Sequence, residues 1–379
     1  MGFNFDTVIN RRGTDSIKWG LYEGNDIIPM WVADMDFASP PTVLEAIHQR
    51  VDHGIFGYPK ISKELNTVVQ NFLEQKYNWA IDPDWIVWLP GLVPALNLAC
   101  RTFCKPHEPV LTTVPIYPPF ITAPGFSERK LNTAPLLFES GRWHLDLDEL
   151  KAACTPDTRL FIACNPYNPM GRVFTPNEMG DIAKFCLEHD IILCSDEIHC
   201  ELILDNIRHH PVATLSDEIA DNTITLMAPS KTFNIPGLCC AFAIISNTAM
   251  RTKFLLQMRG IMPEMNNLCL VACQAAYEHG EPWRLELLDY LRGNRDFLEG
   301  FVAKELPGVS LHHIEATYLA FMDMRETGIE EPKAFFEKAG VGLSDGLHFR
   351  GEGFMRLNFG CPHSTLKEGL SRMRKALVG

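Results

Sequence analysis

The sequence holds 12 cysteines but no CxxC pair and no Cys–His cluster at ligand spacing, so the common metal-binding cysteine patterns are absent. Cys100 and Cys104 lie four apart on an apparent helix, as do Cys269 and Cys273, where small core hydrophobes account for them better than a two-ligand half-site. Cys239 and Cys240 are adjacent and would face opposite ways on a strand. So many unpatterned thiols point to a reducing cytoplasm. There is no basic run, and the net charge of −13 argues against nucleic acid or an anionic membrane as partner. The first residues, "MGFNFDTVINRRGTDS", have no apolar core and do not read as a signal peptide. The longest apolar run, "LCCAFAII", is too short to span a bilayer. Repeats, low-complexity tracts and long linkers are also missing.

What is present is ordinary in bulk: 379 residues, 46% hydrophobic and 21% charged, enough for one large domain or two interdigitated ones. From Pro40 onward two patterns alternate. "PPTVLEAIHQRVDHG" and "PNEMGDIAKFCLEHD" read as helices with proline in the first turn. "IVWL", "PVLTTV", "RLFIAC", "IILCSD", "TITLMA" and "CCAFAII" read as short apolar strands. This alternation predicts an α/β fold whose mostly parallel sheet is covered on both faces. After about residue 247 helices dominate, around one further strand, "TYLAFMDM", which suggests a smaller α+β portion.

Ligands of such sheets gather where strands end, and several segments there are unusual. "APSKTFNIPGL" sets Lys231 just after an apolar strand, with Ser230 before it. Lysine is rarely buried, and one placed in an interior pocket tends to lose its proton and become a nucleophile; a surface lysine after a loop is the plainer alternative. "LPGLVPALN" puts Gly91, Leu92 and Val93 where a helix begins, either as a simple turn or as a phosphate seat. "CNPYNPMGR" places two Asn-Pro pairs after a strand, a rigid path that could aim the Asn168 amide inward or serve only as a turn. "LCSDEIHCEL" ends a strand in Asp196, an acid that needs a cationic or hydrogen-bonding partner. Metal ligation by Asp196, Glu197 and His199 is the rival there, with no second cluster to support it. Arg356 in "MRLNFGCP" suits a carboxylate or a buried salt bridge.

Together these segments resemble the fold-type I pyridoxal-phosphate enzymes: glycine turn, aromatic, "NPxNPxGR", aspartate, "SK", then arginine, with Asp196 35 residues before Lys231. "NRRGTDSIKW", "MWVADMDFASPP", "HGIFGYP" and "SKTFNIPGL" narrow the likeness to the cystathionine β-lyase, or C–S β-lyase, branch of MalY/PatB type, over nearly the whole chain. The resemblance implies pyridoxal 5'-phosphate as cofactor, no metal, and a small amino-acid substrate. It implies a three-layer large domain over 46–280 with a seven-stranded sheet, and a small domain from 1–45 and 281–379. It makes Lys231 the residue that bonds to the cofactor aldehyde, Asp196 the partner of the pyridine nitrogen, and Tyr117 the aromatic stacked on the ring. Asn168 would bond the phenolic oxygen, and Ser230 with Gly91, Leu92 and Val93 would hold the phosphate. Tyr58 would reach the phosphate and substrate from a neighbouring subunit of a homodimer. Arg356, with Asn168, would bind the substrate carboxylate, and His199 would support Asp196 from behind. Many aminotransferases have an arginine on the phosphate eight residues after the lysine; that position is Cys239 here. The implied reaction is β-elimination of a thiol from a cysteine S-conjugate. Transamination on the same scaffold and a non-catalytic cofactor-binding regulator are the alternatives.

Overall fold

The computed structural model describes residues 2–139 and 141–379. Thirteen strands follow one another among them: β1 (Ile28–Pro29), β2 (Ile86–Leu89), β3 (Pro109–Val114), β4 (Lys130–Glu139), β5 (Arg142–Leu145), β6 (Leu160–Cys164), β7 (Ile192–Asp196), β8 (Thr223–Met227), β9 (Ala241–Ile244), β10 (Leu319–Asp323), β11 (Val341–Gly342), β12 (Ser344–Asp345) and β13 (Phe354–Asn358). The main sheet has the order β2-β9-β8-β7-β6-β3-β4-β5. The pairs from β8 through β4 are parallel, while β9 is antiparallel to both of its neighbours. Two antiparallel steps return β2 to the direction of the central strands. The ends of β2, β3, β6, β7 and β8 therefore open on one edge, and this is what assembles the site.

Seven strands of this sheet match the expected number, and β5 adds an eighth as a hairpin on β4. The central strands β6 and β8 are buried at every position, as their unbroken apolar runs require. Covering helices start where the sequence signals them. Thr175 caps Pro176–Glu188 in a reciprocal box, its hydroxyl accepting from the Glu178 N–H while Glu178 Oε2 accepts from the Thr175 N–H. One hydrophobic core lies around the main sheet, and a second joins the N-terminal residues Phe5–Val43 to the long helix Glu281–Glu305 and the last helix His363–Val378. A smaller antiparallel sheet, β10-β13-β12, sits in this second region and carries Arg356 on its central strand. No helix among the described residues is long and apolar enough to cross a membrane.

All twelve cysteines are free, and only Cys239 is exposed. The adjacent pair Cys239–Cys240 precedes β9 instead of lying in a strand. Cys239 takes a left-handed φ of +55° after the Pro236–Leu238 turn, so both residues reach the same cavity.

Candidate active site

A cavity of about 230 Å³ opens at the shared edge of the strands, lined among others by Gly91, Leu92, Val93, Tyr117, Asn168, Asp196, His199, Ser230 and Lys231. The sequence placed these residues across 140 positions; the strand ends bring them together. Arg356 stands one layer back, behind Asn168. Tyr58 of this chain is 98% exposed and does not line the cavity.

Each wall has a local cause. Gly91 caps the helix Leu92–Phe103 with φ +137°, a value that strains any residue with a Cβ. No side chain caps that helix, so the Leu92 and Val93 N–H groups are left for another acceptor. The Asn168 loop turns at Gly171, φ +69°, where an added Cβ would lie 2.7 Å from the Ala316 carbonyl oxygen. Tyr117 sits at the start of the helix Pro118–Phe126, its ring edge-on to Phe120.

The charges are arranged without complement. The Lys231 amine donates to the Ala33 carbonyl at 2.8 Å. Burial, reinforced by Arg356, lowers its pKa to about 8, against the opposing pull of Asp34 and Asp196. Asp196 accepts one hydrogen bond, from the Ile198 N–H at 3.0 Å. Burial raises it to about 7, with Glu197 adding to the rise. Arg356 donates to Asn168 Oδ1 at 3.0 Å and to the Trp31 carbonyl at 2.7 Å, and its plane lies over Phe349. No carboxylate pairs with it among the described residues, and its buried Nε has no partner. Burial brings its pKa down to about 10, so it stays cationic at neutral pH. Because arginine only donates, Asn168 must turn its oxygen to Arg356, which leaves its NH₂ facing the cavity.

His199 lines the cavity with Asp196 but makes no hydrogen bond to it among the described residues. Asp196 Oδ1 is occupied by the Ile198 N–H, and the Cys200 and Leu202 N–H groups bond back to Glu197 and His199 carbonyls. That tight turn swings the His199 ring to the cavity and the edge of Tyr318, with Nδ1 buried and unpartnered. Burial, then Lys231 and Arg356, lower its pKa to about 3, so the ring is neutral. At Cys239 the missing arginine is not replaced from within: Lys231 is the one lysine or arginine lining the cavity among the described residues.

The loop near Trp31 was expected to bear on the width of the pocket, and Ala33 of segment 30–36 lines the cavity. Besides Lys231 and Arg356, Tyr318 and Ser344 bond to carbonyls of this segment, and Asn358 Nδ2 donates to the Val32 and Asp34 carbonyls. Asn234, at φ +55°, accepts from the Met35 N–H and donates to the Met35 and Phe37 carbonyls. The distinctive "MWVADMDFASPP" was the only sequence signal of it.

A family-wide sequence profile, aminotransferase class I and II, matches residues 25–373. Cystathionine beta-lyase PatB of Bacillus subtilis (strain 168) is 38% identical, covering 99% of this chain and 100% of its own length. Among solved structures, OvoB superposes with a TM-score of 0.97 at 43% identity, covering 100% of both chains. Cystalysin from Treponema denticola, whose crystal structure contains pyridoxal 5'-phosphate, superposes at 0.96 with 33% identity over 100% of this chain and 99% of its own. With that profile over most of its length and a full-length likeness to PatB, the chain belongs to the aminotransferase class I and II family, in its cystathionine β-lyase branch.

Proposed function

We propose that this protein is a pyridoxal 5'-phosphate-dependent carbon–sulfur β-lyase that cleaves L-cystathionine or a related cysteine S-conjugate to a thiol, pyruvate and ammonia. One observation carries the reading: Lys231 and Asp196 line one cavity without an ion pair between them, and Arg356, buried with no carboxylate partner, stands directly behind the Asn168 wall. Buried charges without complement are costly, and perturbed ones cluster where chemistry is done.

The donor set fits pyridoxal phosphate. The Leu92 and Val93 N–H groups, the Gly91 turn and the Ser230 hydroxyl suit the phosphate. The Asn168 NH₂ suits the phenolic oxygen, Tyr117 the ring face, Asp196 the pyridine nitrogen and Lys231 the aldehyde. With Cys239 in the arginine position, a further phosphate contact would come from Tyr58 of the partner subunit in a homodimer. Bound there, pyridoxal phosphate supplies an aldehyde that captures amino groups and a ring that draws electrons from the substrate Cα.

The chain's own residues do the rest. Asp196 holds the proton on the ring nitrogen. The Arg356 fork, steadied by Asn168, binds the substrate carboxylate and fixes the Cα–H bond toward Lys231. The Lys231 amine takes the Cα proton, and the sulfur at Cβ leaves as a thiolate with the C–S bond pair. The dehydroamino acid left behind hydrolyses to pyruvate and ammonia. Full-length likeness to PatB supports elimination over transamination.

The two cores support a large cofactor unit over 46–280 and a small unit from residues 1–45 and 281–379. Free thiols throughout support a cytoplasmic location. The test is pyruvate release from L-cystathionine with pyridoxal phosphate and no keto acid: multiple turnovers are expected. Turnover only when a keto acid is added would make the protein an aminotransferase.

A further inference from the structure

Two backbone carbonyls beside the site each accept two side-chain hydrogen bonds, and one donor of each pair is a group that ligands would claim. The Ala33 carbonyl accepts from Lys231 Nζ at 2.8 Å and from the Tyr318 hydroxyl at 2.9 Å. The Trp31 carbonyl accepts from Arg356 Nη2 at 2.7 Å and from Ser344 Oγ at 2.8 Å. A carbonyl oxygen has two lone pairs, so both are fully used. On the function proposed above, which this inference requires, Lys231 turns to an aldehyde and Arg356 to a carboxylate. The first event withdraws one donor from the Ala33 carbonyl, and the second withdraws one from Trp31 when the carboxylate is bound through the Nη2 that this carbonyl holds.

Tyr318 is anchored independently of either event, whereas Ser344 is held in its strand but also accepts from Arg356 Nη2 at 3.4 Å. Tyr318 is buried, immediately precedes β10, and is wedged edge-on against His199. Ser344 is the cross-strand partner of Arg356 between β12 and β13. Burial pushes the Tyr318 phenol well above its usual range, so it remains a donor. We propose that Tyr318 and Ser344 are positioning residues, each the reserve donor that keeps a carbonyl of the 31–34 segment satisfied when Lys231 or Arg356 engages its ligand.

The two assignments separate by step. Without the Tyr318 hydroxyl, Ala33 is still satisfied by Lys231 in the cofactor-free protein and becomes unpaired only when the cofactor takes the amine. Without the Ser344 hydroxyl, Arg356 Nη2 loses its long 3.4 Å acceptor at once, but Trp31 is unpaired only when a carboxylate takes Nη2. Leaving a buried acceptor without a donor is unfavourable on the scale of about a ten-fold change in an equilibrium constant or more.

The experiment compares full-length wild type, Tyr318→Phe and Ser344→Ala by pyridoxal phosphate titration, by melting with and without cofactor, and by binding of L-alanine, which has no β leaving group, to the loaded protein. Tyr318→Phe is expected to weaken cofactor binding about ten-fold, with the melting temperature of the cofactor-free protein nearly unchanged and alanine affinity retained. Ser344→Ala is expected to keep cofactor affinity and weaken alanine binding about ten-fold. Adding Lys231→Met to Tyr318→Phe should lower the cofactor-free melting temperature by more than the two single changes together, because Ala33 then has no donor. Equal destabilisation with and without cofactor, unchanged ligand affinities, or strict additivity of the double variant would each overturn the proposal. Wild type that develops no cofactor absorbance would overturn the functional reading and this inference together. That case is recognised in the wild type alone.

Discussion

Lys18 and Lys231 are both withdrawn from bulk water against the same stretch of backbone, but their surroundings are opposite. Lys18, 1% exposed, donates to Asp36 Oδ2 at 2.7 Å and to the Asp34 carbonyl at 3.2 Å. Asp36 also receives the Trp19 indole N–H at 2.9 Å and Arg11 at 2.7 Å. Burial pushes that carboxyl up, but Lys18, Trp19 and Arg11 outweigh it and hold it below the ordinary carboxylate range. Lys231 has one neutral carbonyl and its pKa falls. The acids repeat the contrast one residue apart. Glu197 accepts from Ser195, His209 and the Val212 N–H, whereas its neighbour Asp196 accepts once. A buried charge matched inside the chain reports architecture. One left unmatched reports a ligand.

The sharpest way to break this comparison is to remove each lysine. Lys231→Ala should lower pyruvate release by about 10³-fold or more, since general-base steps contribute about 10²–10⁴. The urea midpoint of its cofactor-free form should hold or rise, because an unmatched charge has gone. Lys18→Met should do the reverse, costing about 1.5–3 kcal/mol in urea unfolding by removing one of two cations on Asp36, with Arg11 and Trp19 remaining. A Lys18 variant as stable as wild type would erase the distinction.

Titration sharpens the same contrast with a smaller effect. Asp196, raised to about 7 from 3.8, binds more protons folded than unfolded between those values, so cofactor-free stability should fall as pH rises through that window. Lys231, lowered to about 8 from 10.5, binds fewer, so stability should recover between those values. The melting temperature should therefore pass through a shallow minimum between about pH 7 and 8, and Asp196→Asn should remove the descending arm. Asp36, depressed, has the opposite sign: its stabilisation is present above 3.8 and is lost as pH falls through its folded value.

What could be read from the sequence was local. Thr175, Pro176 and Glu178 announce a helix start because capping acts within one turn, and β6 to β8 announce themselves by unbroken apolar runs. Lys231, Asp196 and Asn168 were legible because Asp196 ends such a strand and the other two follow one within four residues. The strand β4 was missed because its outer half pairs only with the edge hairpin, leaving exposed and half-buried positions without clean alternation. Tyr318 and Ser344 carried no signal, since their partners Ala33 and Trp31 lie 285 and 313 residues away. The turn that sets the His199 ring at the edge of Tyr318 was equally hidden, because its bonds join residues only two or three apart without a sequence signature.

The segment 30–36 is among the first parts of the chain to be synthesised, and some of the bonds that hold it come from near the chain's other end. The Met30 carbonyl accepts from the Asn358 N–H at 2.8 Å, and Asn358 Nδ2 holds the Asp34 carbonyl at 2.6 Å. A nascent chain can close the main sheet once β9 has emerged from the ribosome, with Lys231 and Asp196 already at its edge. Asn234 and Lys231 can already hold part of the wall that faces them, but its bonds from Arg356 and Asn358 wait for β13, more than a hundred residues later. A chain that ends before β13 would carry the Lys231 amine without the full set of bonds that hold its enclosure.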